Sequence, residues 1–215
     1  KIISFVMQSD YKYLPVQFFE RDVFTVAKEL LGMLFIKIEN NEQLIGKITE
    51  LEVYTFDDPA SHSFGGKKNK NAVMFNGGGV LYVYFTYGMY FCSNIVTGKL
   101  NEGSAILLRS MEPLNGIETF ALRRFKKNVI TNNEKRNLLN GPGKISIAFN
   151  LNKQFNGLNL QTNDIKIAEP IVKTSFEIGE SPRIGISKAV ELKRRFYIKN
   201  NLYLSRNEKW KNTNN

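Results

Sequence analysis

The stretch VLYVYFTYGMYFCSNIV, residues 80–96, places six aromatic side chains in seventeen positions and interrupts them with one glycine, Gly88. A buried hairpin, a membrane span and a nucleic-acid wedge are all written with these letters. Residues 71–98 carry no charged side chain, which brings the span into question first. A span needs about 20 consecutive apolar residues, and here NGGG, Thr86, Gly88, Ser93, Asn94 and Thr97 break the run. The aromatics recur every second residue, the period of a strand. The segment is therefore read as two strands folded back at Tyr87-Gly88. Tyr82, Tyr84 and Thr86 then share one face and Val83, Phe85 and Tyr87 the other. Each buried tyrosine hydroxyl needs a partner, and a tip carrying Tyr87 and Met89 serves no core. Two readings stand: a core hairpin with one exposed tyrosine, or a protruding tip that wedges between base steps.

The flanking segments read as strands and short helices. RDVFTVAKELLGM is the first helix, with Val23, Val26, Ala27, Leu30 and Leu31 on one face, Asp22 as N-cap and Gly32 as stop. MLFIKIE and LIGKITELEVY are strands joined by the turn NNEQ, and residues 55–79 read as loop. SAILLRSMEPL is a strand, NGIETFALRRFKK a helix, and KNVITNNEKRNLLNG a polar surface excursion. IKIAEPI, PRIGIS and RRFYI are short strands. The expected fold is α+β: a single mixed domain with a curved, mainly antiparallel sheet, flanking helices and a protruding β-hairpin. An N-terminal extension (1–19), a domain (20–204) and a C-terminal tail (205–215) are the expected divisions.

In ITELEVY, alternation puts Glu50, Glu52 and Tyr54 on one face, with the carboxylates about 6–7 Å apart. Such a face is either exposed, with ordinary solvated glutamates, or a site where one carboxylate activates water and the other tunes it. Glu50 and Glu52 as a glycosidase pair fit poorly, because such pairs flank the scissile bond from two sides. The lone histidine, His62, sits in a Pro- and Ser-rich turn and reads as a structural hydrogen-bonder before a catalytic group.

Thirty Lys and Arg against twenty Asp and Glu give a net charge of +10. That excess favours a nucleic-acid or acidic-membrane partner, or reflects a lysine-rich composition alone. One cysteine and one histidine exclude an intramolecular disulfide and the usual zinc sites; no metal or cofactor is expected. No secretory signal is evident in the first residues.

ELLG, ITELEVY, ASHSFGG, LYVYFTYGMYFCSNIV and AILLRSMEPLNG, followed by NGPGKISIAFNL, PRIGI and RRFYI, together carry a resemblance. Over about residues 20–200 the chain resembles the alkyladenine (3-methyladenine) DNA glycosylase family, monofunctional enzymes that hydrolyse alkylated or deaminated purines from duplex DNA. The resemblance implies that Glu52 is the general base, that Arg109 helps hold the attacking water, and that the carbonyl of Ile184 completes its cradle. It implies a pocket for the flipped base made of Tyr54, His62, Tyr84, Asn94 and Leu107, with Asn94 crowding a guanine 2-amino group. Tyr87 matches the intercalating tyrosine, with Met89, Tyr90 and Met74 also on the DNA-binding side. The implied partner is double-stranded DNA approached through the minor groove by a monomer with no membrane attachment, in the bacterial cytoplasm or a eukaryotic nucleus. A binding module on the same scaffold, without catalysis, is the alternative.

Overall fold

The computed structural model describes residues 11–86 and 88–205. Its organising element is a long central strand, β2 (Glu42–Tyr54), which returns from β1 (Leu34–Glu39). Asn40 and Asn41 join the two strands, both at positive φ (50° and 61°). This backbone twist matches that of the flanking strands, and asparagine tolerates it. β5 (Ser104–Asn115) runs along one edge of β2. The other edge is shared: β1 pairs with its first half and β8 (Arg195–Ile198) with Glu50, Leu51 and Glu52. β4 (Tyr90–Thr97) and β3 (Leu81–Thr86) extend the sheet beyond β5. β6 (Ile165–Ala168) lies outside β1, and β7 (Ile178–Ser181) outside β8. Every pairing is antiparallel. The fold is thus the expected α+β domain with a curled sheet and several helices.

One face of the sheet carries the core. Helix α1 (Val16–Phe19) leads into α2 (Val23–Leu30). Asp22 caps α2 by accepting the Thr25 amide at 2.9 Å, and Gly32 leaves it at φ 82°. Val26, Ala27 and Leu30 are fully buried. α3 (Ile117–Phe125), the short α4 (Asn132–Arg136) and α5 (Pro142–Ala148) complete the cover. Phe149, at the end of α5, meets Phe35 of β1 and Phe120 of α3 with ring centroids 5.0 and 4.8 Å away. Truncating such a ring to alanine typically costs about 3–5 kcal/mol. Leu14 and Phe19, from the segment read as an extension, are buried in the same core.

Three readings of the sequence need correction. Residues 127–141 are not simply a surface excursion, because Leu138 and Leu139 are fully buried in the main core. PRIGIS is not a strand: the ladder runs through Ile178–Ser181 and stops at Pro182, which has no N–H to donate. Glu50 and Glu52 do not lie on a solvated face; both are 0% exposed. β8 lies beside these residues at the edge of β2 and brings Arg195 to Glu50, and the segment after Pro182 brings Ile184 to Glu52; both come from the far end of the chain. No helix among the described residues is long and apolar enough to cross a membrane.

Candidate active site

Strand register builds one wall of the site. Tyr82 of β3 pairs with Asn94 of β4, Asn94 with Leu107 of β5, Leu107 with Glu52 of β2, and Glu52 with Arg195 of β8. Directly paired residues point to the same face, so one lateral row crosses five strands. The adjacent pair Tyr84–Cys92 lies beside it. This face lines a cavity of about 550 Å³. The turn Pro59–His62 forms one flank, Ile184–Lys188 the other, and Pro142 of α5 closes an end.

Two register slips aim the charged groups. Ile48 pairs with Met111 and Glu50 with Ser110, which leaves Thr49 over on β2. Leu51 then pairs with Leu108, which leaves Arg109 over on β5. A bulge puts two neighbouring side chains opposite one residue; here Arg109 and Ser110 stand opposite Glu50.

Glu52 lies directly behind the cavity wall. Its Oε1 accepts the Ile184 amide at 2.7 Å and sits 3.2 Å from Nη1 of Arg109. Its Oε2 accepts the Tyr54 hydroxyl at 2.9 Å. Tyr54, Arg109 and Ile184 all line the cavity. The Ile184 carbonyl is 3.5 Å from the same Nη1 of Arg109. Burial pushes the Glu52 carboxyl above the ordinary range, and Arg109, the Ile184 amide and Tyr54 pull it only part of the way back. Glu50, equally buried, goes the other way. Burial is outweighed there by the Arg195 and Arg109 guanidiniums and by Ser205, so its carboxyl is held below the ordinary range.

The aromatic part is anchored through hydroxyls, as buried tyrosines require. His62 Nδ1 is 2.9 Å from the Tyr82 hydroxyl. The His62 and Tyr84 rings meet edge to face at 4.4 Å, and Tyr84 leans on Tyr82 at 5.4 Å. Burial, with Lys70 nearby, lowers the His62 pKa, so its ring is neutral at pH 7. Asn94 donates Nδ2 to the Tyr82 carbonyl at 3.1 Å. Tyr54 carries the Arg183 guanidinium 4.6 Å from its ring centroid.

The structure therefore brings Tyr54, His62, Tyr84, Asn94, Leu107, Arg109 and Ile184 to one cavity, with Glu52 immediately behind. Met74 belongs to that cavity too; it is 2% exposed and packs with Phe75 and Tyr82, not on the outer surface. Met89 and Tyr90 are exposed at the hairpin end, beside Phe85. A Cβ at Gly143 of α5 would come within 3.1 Å of the Tyr90 ring, so this glycine lets α5 and the hairpin meet closely. Tyr87 lies outside the described residues. Reasoning from sequence missed Tyr82, Arg183, Arg195 and Ser205. A pair of arginines opening an apolar strand, RRFYI, was the available signal for two buried ion pairs, since buried charges require partners.

Residues 17–202 match a family model described as methylpurine-DNA glycosylase (MPG). A protein of Clostridium novyi is 43% identical over 202 residues, covering 91% of this chain and 99% of the relative. One from Francisella tularensis is 42% identical, over 84% of this chain and 92% of the relative. One from Carboxydothermus hydrogenoformans is 40% identical, over 90% and 98%. All three carry the name "Putative 3-methyladenine DNA glycosylase".

Proposed function

The chain belongs to the methylpurine-DNA glycosylase family, a family of monofunctional DNA-repair glycosylases, and from that premise we propose its reaction in detail. It hydrolyses the N-glycosidic bond of alkylated or deaminated purines, among them 3-methyladenine, 7-methylguanine, ethenoadenine and hypoxanthine, after the nucleotide has been flipped out of duplex DNA. The observation that carries this reading is a fully buried carboxylate of raised pKa, Glu52, held directly behind an aromatic-walled cavity.

The geometry supports the following steps. Extruding a nucleotide costs a few kcal/mol of stacking and pairing. Stacking on aromatic faces returns about 1–3 kcal/mol per base; Tyr54, Tyr84 and His62 provide those faces. The neutral His62 adds no charge repulsion toward a cationic alkylated base. Asn94 crowds the position of a guanine 2-amino group. A carboxylate offers about four lone-pair sites, and Ile184, Arg109 and Tyr54 occupy three around Glu52. The fourth takes a water, which the Ile184 carbonyl and Arg109 help to hold. Glu52 removes its proton as the oxygen attacks C1′ of the deoxyribose. The base leaves with the bonding pair and an abasic site remains. Cationic bases depart readily, so one carboxylate suffices for them.

Outside the cavity, the exposed Phe85, Met89 and Tyr90 support a hairpin pressed to the DNA minor groove, with Tyr87 as the plug in the vacated stack. The +10 charge supports contact with phosphates. We place the protein on DNA as a monomer, with the nucleoid in the bacterial cytoplasm, in line with its bacterial relatives.

The test is base release from duplex oligonucleotides carrying one hypoxanthine or one ethenoadenine, with methylated genomic DNA in parallel, read by alkali cleavage at the abasic site. Glu52→Gln should bind lesion DNA as the parent does and lose base release by about 10²–10⁴-fold. Intact lesion binding by the parent with no release from any substrate would leave a binding module.

A further inference from the structure

Glu50 does not line the cavity, yet it is wholly buried and receives four donors. Arg109 Nε lies at 3.1 Å and Arg195 Nε at 2.6 Å from Oε1. The Ser205 amide donates to Oε2 at 2.6 Å and its hydroxyl to Oε1 at 2.7 Å. Ser205 Oγ also accepts Nη2 of Arg109 at 3.2 Å. Ser110, beside Arg109 in the bulge, bonds the Tyr203 carbonyl, so residues 203–205 lie over both bulged side chains.

The guanidinium of Arg109 is a planar fork of five donors. Glu50 occupies its Nε and Ser205 its Nη2, so Nη1 is the nitrogen left toward Glu52 and the Ile184 carbonyl. A guanidinium freed from that clamp pairs with a carboxylate through two parallel bonds. On Glu52, such a bidentate contact would fill the acceptor site that a water needs. The charges also balance, since two carboxylates stand against Arg109 and Arg195. Without Glu50, two cations would face Glu52 alone and weaken it as a base.

We propose that Glu50 is a positioning residue of the glycosylase reaction: with Ser205 it clamps the Nε and Nη2 edge of Arg109, so that this guanidinium meets Glu52 through Nη1 alone and leaves a carboxylate lone pair for the attacking water. Arg195 is the counter-cation that keeps Glu50 ionised inside the protein. The clamp rests on the reading of Glu52 as the base.

Single-turnover base release from a hypoxanthine duplex, measured across pH 5–8 with lesion-DNA affinity alongside, tests it. The titratable or charged groups facing Glu52 are Glu50 and Tyr54 of β2, Tyr84 of β3, Cys92 of β4, Arg109 of β5 and Arg195 of β8. Burial moves Tyr54, Tyr84 and Cys92 upward, so the acid limb reports Glu52 together with His62 of the base pocket, and a substitution at Glu50 moves the Glu52 part. Glu50→Gln should slow release about 10- to 100-fold, leave lesion affinity within about twofold, and move the acid limb to lower pH. Ser205→Ala removes both hydroxyl contacts without changing charge. It should slow release in the same sense, by a smaller factor, with the limb in place.

Parent-like release and an unmoved limb in a folded Glu50→Gln would overturn the clamp. So would parallel losses of affinity, rate and thermal stability, the mark of a folding brace. Should Glu50→Gln fail to fold, Ser205→Ala decides: slower release at unchanged affinity supports the clamp, and a parent rate overturns it. A parent protein that releases no base strikes the glycosylase reading itself, not the clamp.

Discussion

Two buried carboxylates in this molecule each hold two arginines, and they do different things with them. Asp58 pairs with Arg183, through Nη2 at 3.0 Å and also through Nη1, and with Arg194 at 3.3 Å. Glu50 pairs with Arg109 and Arg195. The neighbours Arg194 and Arg195 thus serve opposite clusters, because successive residues entering a strand point to opposite faces. Arg183 also donates to the Val53 carbonyl at 3.0 Å, and Asp58 accepts the Ala60 amide at 2.9 Å. The Asp58 cluster ties the turn after β2 to the segment that carries Ile184. The Glu50 cluster ties down no loop of the cavity wall; it fixes the aim of one cation. Buried ion pairs contribute little net stability over well-packed apolar groups. The comparison says what each achieves instead: backbone placement in one case, charge placement in the other.

That division can be broken most sharply at Asp58. Asp58→Ala leaves two arginines facing each other under the surface, at a cost of about 3–5 kcal/mol. For a domain of this size that is roughly 6–20 °C in Tm, with base release falling as Ile184 loses its anchor. Thermal unfolding checks it, and a Tm within 2 °C of the parent, by the ~2–4 °C per kcal/mol scale, would erase the distinction between the clusters.

A second effect separates Glu52 from both. Arg183, the Ala60 amide and Arg194 outweigh burial at Asp58 and hold its carboxyl low, as the arginines do at Glu50. Both therefore contribute stability that is complete above the ordinary carboxylate range and is lost as pH falls through their depressed values. Glu52 is raised, so its ionisation costs stability once pH climbs past the unfolded carboxylate value, until the raised folded value is passed. Glu52→Gln should therefore melt higher than the parent at neutral pH, and the gain should shrink on acidification. Unfolding midpoints for both proteins between about pH 4 and 8 check it: a constant difference would mean an unshifted Glu52, and a parent that melts higher at neutral pH would reverse the sign.

The smallest effect tests the aromatic side. Tyr82→Phe removes the hydroxyl that meets His62 Nδ1 and nothing else in the row. It should cost about 0.5–1.5 kcal/mol and loosen the histidine, visible as a rise of the His62 pKa by NMR toward its ordinary value. An unchanged titration would mean that burial and Lys70 set the ring without the hydroxyl.

Much of this was legible from local pattern. The alternation in ITELEVY gave the shared face of Glu50, Glu52 and Tyr54, the Asp22 cap lay where its backbone chemistry requires, the turn read over NNEQ closes in two residues, Asn40 and Asn41, with Glu42 and Gln43 already in β2, and the hairpin turns back after Thr86. The burial of the two glutamates was not legible, because their cover arrives more than a hundred residues later, from Ile184, β8 and Ser205. Nor were the slips at Thr49 and Arg109, since a bulge is a property of a pair of strands. PRIGIS was misread for a related reason: the Ile184 N–H and C=O go to Glu52 and Arg109, not to a neighbouring strand.

The row from Tyr82 through Asn94, Leu107 and Glu52 to Arg195 has a consequence for how such a cavity changes over time. Each member is indexed to the next by main-chain pairing, so one inserted residue in any of the five strands, unless a bulge takes it up as at Thr49 and Arg109, would turn that strand's contribution toward the core. Drift by sliding is closed off. On the proposed reading of the cavity as the base pocket, preference among damaged bases is retuned by exchanging side chains in place or by reshaping the two flanking segments, 59–62 and 184–188. Kin that favour different lesions should therefore keep their strand lengths and spacing across this row and vary at its ends.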